Sequence, residues 1–234
     1  MTLPDGQADL PIGGIMGTSS GAYAGSLYCA GYTPEQIATE LCVVPPVLLL
    51  RPCWRFWCGL LSLHVVVDRL RELLPPTFED LDRKFAVGVI DSNGQHRLID
   101  SGPLPEAVAA SGAIPVLFAP VDVPGVEDGP HGDGGMRDRL GLVPWREHRR
   151  ASLPSKAPDA LVHLISRSSP FSGKDDVEAM GERRVSVARS QKSGVNFFTM
   201  GDYERQMRDA CDQAAPLVQA VKDRISEPRK RLVA

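Results

Sequence analysis

The chain has 234 residues, 43% of them hydrophobic and 24% charged, with a formal net charge of −3. That length and balance describe one globular domain able to bury a sizeable core. They give no reason to expect a nucleic-acid partner. The five cysteines, Cys29, Cys42, Cys53, Cys58 and Cys211, are odd in number and scattered. This argues against a disulfide framework and fits a reducing compartment. Cys53 and Cys58 have only His64 nearby as a further ligand, too few for zinc, so no metal is expected.

The N-terminal MTLPDGQADLP lacks the basic and apolar regions of a secretory signal. Residues Pro11 to Met16 are a short apolar run, read as a buried strand. From Ser20, the residues Ala22, Tyr23, Ala24, Leu27, Tyr28 and Ala30 suit a helix, and Gly31 stops it. Thr33-Pro34-Glu35-Gln36 starts a second helix, with Thr33 capping, Pro34 at the first helical position and Gln36 reaching back. The most apolar stretch, Val43 to Val67, is interrupted by Pro45, Pro46, Arg51, Pro52 and Arg55. It therefore falls short of the about 20 uninterrupted apolar residues of a membrane-crossing helix.

Trp57, Leu61, Val65 and Leu73 predict a helix over Trp54 to Leu74, ended by Pro75-Pro76. Lys84 to Ile90 is strand-like, Asp91-Ser92-Asn93-Gly94 a turn, and Gln95 to Ile99 the returning strand. Leu104 to Ser111 is a short helix, followed by the loop Gly112-Ala113-Ile114-Pro115. Val116 to Val123 and Ala160 to Ser166 are further strands, the latter with the continuous apolar run of a covered parallel strand. Residues 125 to 132 and 167 to 176 read as loops. Met207, Cys211, Ala214, Val218, Val221 and Ile225 predict an amphipathic helix over Tyr203 to Ile225, closing over the core. Strands alternating with helices imply one α/β domain, with helices on both faces of a sheet.

Gly17-Thr18-Ser19-Ser20-Gly21 lies between the first strand and the first helix. A serine hydroxyl becomes a nucleophile when it is exposed, near a base and near donors for an oxyanion. A strand-turn-helix elbow supplies the exposure, with Gly17 and Gly21 allowing strand and helix to approach. The helix N-terminus favours negative charge at the same point, and the Ser20 backbone amide is the first candidate oxyanion donor. A glycine-rich structural turn remains the alternative. For the base, His148 and His163 follow in the order of a Ser-Asp-His triad. However, His148 reads as part of a charged face and His163 as part of an apolar run. Asp133, on the tight backbone of Asp133-Gly134-Gly135, is the sharper candidate, with a simple turn as the other reading.

Together these stretches resemble the patatin-like phospholipase family. Gly17-Thr18-Ser19-Ser20-Gly21 resembles its Gly-x-Ser-x-Gly and Asp133-Gly134-Gly135 its Asp-Gly-Gly/Ala. LPEAVAASGAIPVLFAPV (104 to 121) is similar to the stretch between the two motifs, and PPTFEDL (75 to 81) is also typical. The resemblance runs from about residue 11 to about residue 165. It implies a three-layer sandwich around a mainly parallel sheet, and a Ser-Asp dyad acting on lipid acyl esters without a cofactor. Ser19 would be acylated, while Asp133 would take its proton and later activate water. Peripheral contact with a membrane or lipid-droplet surface is expected as well, and the lack of a signal or membrane-crossing segment predicts an intracellular place, cytoplasmic or at a membrane periphery. The family's Gly-Gly-Gly-x-Arg/Lys-Gly loop, which supplies oxyanion amides upstream of the serine, has no counterpart in the eighteen residues before Ser19. The expectation is that the first strand and this loop are missing and that activity is weakened. Two further readings stay open: a catalytically inactive lipid-binding module, and an esterase using His148 or His163. Part of Val43 to Val67 is expected either to pack inward or to flank the site's mouth, with Trp54 or Trp57 at a lipid interface and Arg51 and Arg55 near head groups.

Overall fold

The computed structural model describes residues 10–42, 44–54, 56–152, 159–166, 176–178, 180–191, 194 and 198–231. The front segment 1–9, Val43, Arg55 and the expected loop over 167–175 lie outside the described residues. The strands are β1 (Ile15–Thr18), β2 (Arg51–Pro52), β3 (Leu61–Ser62), β4 (Phe85–Ile90), β5 (His96–Ile99), β6 (Gly132–Asp133), β7 (Ala160–Ile165) and β8 (Val185–Ser190). The helices are α1 (Ser20–Cys29), α2 (Pro34–Cys42), α3 (His64–Leu73), α4 (Leu104–Ser111), α5 (Leu142–Ser152) and α6 (Tyr203–Arg231).

Local chemistry explains most boundaries. Gly31 stops α1 at φ +93°, a conformation that costs a glycine little. A reciprocal capping box opens α2: the Thr33 amide donates to Gln36 Oε1 at 2.8 Å, and the Gln36 amide to Thr33 Oγ1 at 3.3 Å. Asp91 Oδ1 accepts the Asn93 and Gln95 amides, closing the turn between β4 and β5.

β4 is the hub of the main sheet. It pairs parallel with β1 and antiparallel with β5 and β6. The sheet is therefore mixed rather than mainly parallel, because β5 returns through a tight turn and β6 arrives from the opposite direction. Phe85, Val87 and Val89 face one way and join the principal core with Ala22, Leu27, Val67, Leu70, Leu104 and Val108. The small residues Ala107, Ala109 and Ala110 let α4 lie buried there at every residue but Glu106. Gly88 faces the other way, toward Met16, Thr18 and His96, and Met16 in turn meets Gly141 just before α5.

Three further expectations are corrected. Trp54 to Leu74 is not one helix: only α3 is helical, and the aromatic part is the turn of the β2–β3 hairpin. There the Leu60 and Leu61 amides go to the carbonyls of Val116 and Leu117, so the apolar spacing reflected two different surfaces. Val116 to Val123 forms isolated bridges at Phe118 and Val121 rather than a strand. α6 packs on β8, beside a separate β7–β8 parallel pair, rather than over the main core. Val221 is its buried anchor, and the helix runs past Ile225 to Arg231.

Candidate active site

Ser19 occupies the turn between β1 and α1 with φ 54° and ψ −123°. A side chain rarely tolerates this backbone, and such strain persists only where the surroundings over-determine it. Here the Ser19 amide donates to Ser111 Oγ at 3.0 Å, and Ser111 Oγ donates to the Gly88 carbonyl at 2.7 Å. Ser111 is wholly buried at the end of α4, so the elbow is bolted to β4 through one hydroxyl. The two glycines flanking the serine differ in role. A Cβ on Gly17 would run into the Gly21 carbonyl, whereas one on Gly21 would meet open space. Only Gly17 is demanded by the close approach of strand and helix.

Ser20 is exposed at the first position of α1, and no side chain caps that end. The first amides of a helix lack intrahelical acceptors, so they are aimed at whatever sits beside Ser19.

Asp133 reaches the same place along β4. In the sheet register Thr18 stands opposite Gly88 and Asp133 opposite Val89. β5 takes the other edge of β4 at both levels, so β1 and β6 share one edge end to end. The chain leaves the sheet at Ser19 where Asp133 enters it. Asp133 is 5% exposed, its amide donates to the Ala113 carbonyl, and its Oδ1 accepts the Gly135 amide at 2.7 Å. Both following glycines have a reason. A Cβ on Gly134 would clash with the backbone of Gly88, at 2.5 Å, and one on Gly135 would crowd Asp133 Oδ1, at 3.0 Å.

Two partners escaped the sequence reading. One is Ser111; the only signal was a polar residue ending an otherwise apolar helix. The other is Tyr23, one turn into α1 and packed against Gly112. Burial pushes its phenol above the ordinary range, and the nearby Asp133 carboxylate pushes it the same way.

The histidines weighed from sequence lie elsewhere. His148 stacks on Trp145 and reaches Asp100 at 2.8 Å, in a cavity with Lys84 and Phe85 at the opposite end of β4. His163 is in the β7–β8 pair, 3.0 Å from Ser190 Oγ, and burial lowers its pKa. Gly13-Gly14 also sits at the far end, against Arg149 and Trp145. All five cysteines are free thiols, and burial pushes Cys29 up to about 12. Among the described residues, no group of three or more His, Cys, Asp or Glu side chains is arranged to hold a metal.

The fold is α/β, with a strained serine on the turn between β1 and α1 and a carboxylate one register position beyond Thr18. The family model for patatin-like phospholipase matches residues 3–144, more than half of the chain, and the protein belongs to that family. Proteins of this family are in general hydrolases that act on lipid esters. No curated protein matches the chain. Among the described residues, no helix is long and apolar enough to cross a membrane.

Proposed function

We propose that the protein is a lipid acyl hydrolase working through a Ser19–Asp133 dyad. Ser19 Oγ attacks the ester carbonyl and its proton passes to Asp133. The oxyanion forms against the Ser20 amide and the α1 N-terminus, which are fixed in advance and need no reorganisation. Collapse expels the alcohol, which takes the proton, and leaves an acyl-serine. Asp133 then removes a proton from water, the hydroxide attacks the acyl carbon, and the acid leaves as Ser19 regains its proton. The carrying observation is the shared edge of β4, which brings Thr18 and Asp133 to consecutive register positions. The substrate would be met at a lipid surface to which the protein binds peripherally.

A second reading, a lipid-binding module without turnover, draws on the place of Gly13-Gly14. These amides lie at the far end of β4 and lend nothing to an oxyanion at Ser19.

The test uses a chromogenic short-chain ester together with fluorophosphonate labelling. Ser19→Ala abolishes both signals with the fold intact, and Asp133→Asn lowers turnover by about 10²–10⁴-fold. Full activity in Asp133→Asn with loss in His148→Ala or His163→Ala would replace the dyad with a triad. Absence of labelling and turnover in the parent chain favours the binding module.

A further inference from the structure

The strongest clustered apolar exposure lies on the segment that follows α4 and on the hairpin bonded to it. Trp54 is 82% exposed, Phe56 69%, Trp57 65% and Leu60 57%, all in the turn of the β2–β3 hairpin. The rings contact one another edge to face: Phe56–Trp57 centroids are 5.3 Å apart and Trp54–Trp57 6.3 Å. Next to them Val116 is 81% exposed, and Ile114 is exposed too. Val116 holds φ +73°. A β-branched residue in that region is strained, so the surroundings are spending stability to present this side chain outward.

Hairpin and loop form one rigid body. The Leu60 amide donates to Val116 O at 3.1 Å, Leu61 to Leu117 O at 2.9 Å, and Ala119 to Leu61 O at 2.8 Å. A Cβ on Gly59 would strike the backbone of Phe118 and Ala119, so the hairpin lies flat on that segment only because residue 59 has no side chain. The same segment, traced back, carries the site. Ser111 holds the Ser19 amide, and the Ala113 carbonyl holds the Asp133 amide.

Charge selects the occupant. From residue 41 to residue 67 there are two arginines and no aspartate or glutamate, and residues 112 to 121 carry no charge. Arg51 is exposed at the hairpin base, its Nη1 on the carbonyls of Leu48 and Leu50 at 2.9 Å. Arg55 is outside the described residues. Asp68, Glu106 and Asp122 lie at the hairpin's base, around Ser62 and Ala119 to Val121, so the turn itself pairs clustered Trp and Phe with arginine, the composition that lodges at the boundary between acyl chains and anionic head groups.

We propose that the β2–β3 hairpin, with Ile114 and Val116, is the docking surface for an anionic lipid bilayer. Trp54, Phe56 and Trp57 enter the interface, Arg51 meets lipid phosphates, and Ser19 is held at the bilayer's edge. The assignment rests on the acyl-hydrolase reading for its purpose, but binding is measured separately from turnover.

The probe is vesicles of phosphatidylcholine and phosphatidylglycerol, offered to the full chain, to Trp54→Ala/Trp57→Ala, to Gly59→Ala and to Ser19→Ala. Co-sedimentation is expected for the parent and for Ser19→Ala, and to weaken by at least about tenfold in the double variant. Gly59→Ala, with every aromatic ring retained, is expected to bind less than the parent. In Trp145→Phe, whose remaining tryptophans are the hairpin's, emission shifts to the blue and brominated lipid quenches it. The ratio of vesicle-ester to soluble-ester turnover falls in the double variant. Thermal midpoints check that each variant folds. Unchanged sedimentation of the double variant, or no shift and no quenching in Trp145→Phe, overturns the proposal. So does a concentration-dependent dimer that the double variant dissolves without any vesicle binding, which assigns the face to a second copy. Vesicle binding by a chain that hydrolyses no ester leaves the docking surface standing and removes the hydrolase reading.

Discussion

The elbow and the β7–β8–α6 region are held by opposite means. Around Ser19 the glue is packing and backbone pairing: β1 and β6 on β4, α4 buried among aliphatic side chains, and one hydroxyl bridging Ser19 to Gly88. At β7–β8 the glue is arginine. Arg146 of α5 is 2% exposed; its Nη1 reaches Glu182 Oε2 at 2.6 Å and the Arg183 carbonyl at 2.7 Å, and its Nη2 reaches the Arg184 carbonyl at 3.2 Å. Arg184 and Arg224 both reach Asp159, at 2.6 and 3.3 Å. Packing tolerates changes of pH and salt, whereas a charge lattice does not. The two regions should therefore come apart under different insults.

The largest effect is expected at the arginine lattice. Arg146→Ala leaves Glu182 with only the more exposed Arg150 at 3.3 Å and strips the Arg183 and Arg184 carbonyls of their donor, a loss of up to about 3 kcal/mol. Hydrogen exchange should show β7 and β8 opening while β4 stays protected; equal opening of both would erase the contrast. Acid probes the same lattice. The Arg146 guanidinium holds the Glu182 carboxyl below its ordinary 4.5. A depressed carboxylate contributes stability above its unfolded pKa and loses it as pH falls through the folded value. Lowering pH from 4.5 should thus loosen β7–β8 as Glu182 is protonated, read by exchange at its amides.

Gly17→Ala attacks the elbow through sterics alone. Its methyl must displace the Gly21 carbonyl, an overpacking cost of about 1–3 kcal/mol. Fluorophosphonate labelling should fall sharply while exchange at β7–β8 is untouched. Labelling at the parent rate would mean that strand and helix part without consequence for Ser19.

Ser111→Ala is subtler. It strips the bridge between the Ser19 amide and Gly88, worth about 1–3 kcal/mol as an unsatisfied buried pair. Because the hydroxyl touches no substrate, kcat should drop with KM nearly constant, and Ser111→Thr should restore part of it. A rise in KM alone would make Ser111 part of the binding surface instead.

The contrast also explains what could be read from the chain. The elbow obeys local rules: Gly31 ends a helix, Thr33 and Gln36 cap one, Asp91 to Gly94 turns, and Leu104 to Ser111 is apolar enough to sit against a sheet. These elements were legible because short-range chemistry and long-range packing agree there. The hairpin was not, since Trp57, Leu61 and Val65 match a helical stripe by coincidence of two surfaces. What decides against the helix is a contact between Gly59 and Ala119, sixty positions apart. β8 gave no apolar signal because half of VSVARS is polar: β7 pairs along its edge, and α6 packs on it. In the candidate site, Ser19 and Asp133 stood out by their glycines. Ser111 and Tyr23 did not, because their part depends on which atom they meet. Gly21 shows the converse: the motif names it, yet no neighbour requires it.

One consequence of β4's position concerns assembly. Its partner β5 lies just across a turn, but β1 must arrive from seventy residues upstream and β6 from about forty downstream. Loops of that size close late, after the local hairpin is in place. Until both have docked, Ser19 and Asp133 belong to separate stretches of chain, and no partly assembled form holds them together. The meeting of Ser19 and Asp133 is thereby conditional on completed long-range closure, and a chain caught midway lacks the proposed dyad altogether.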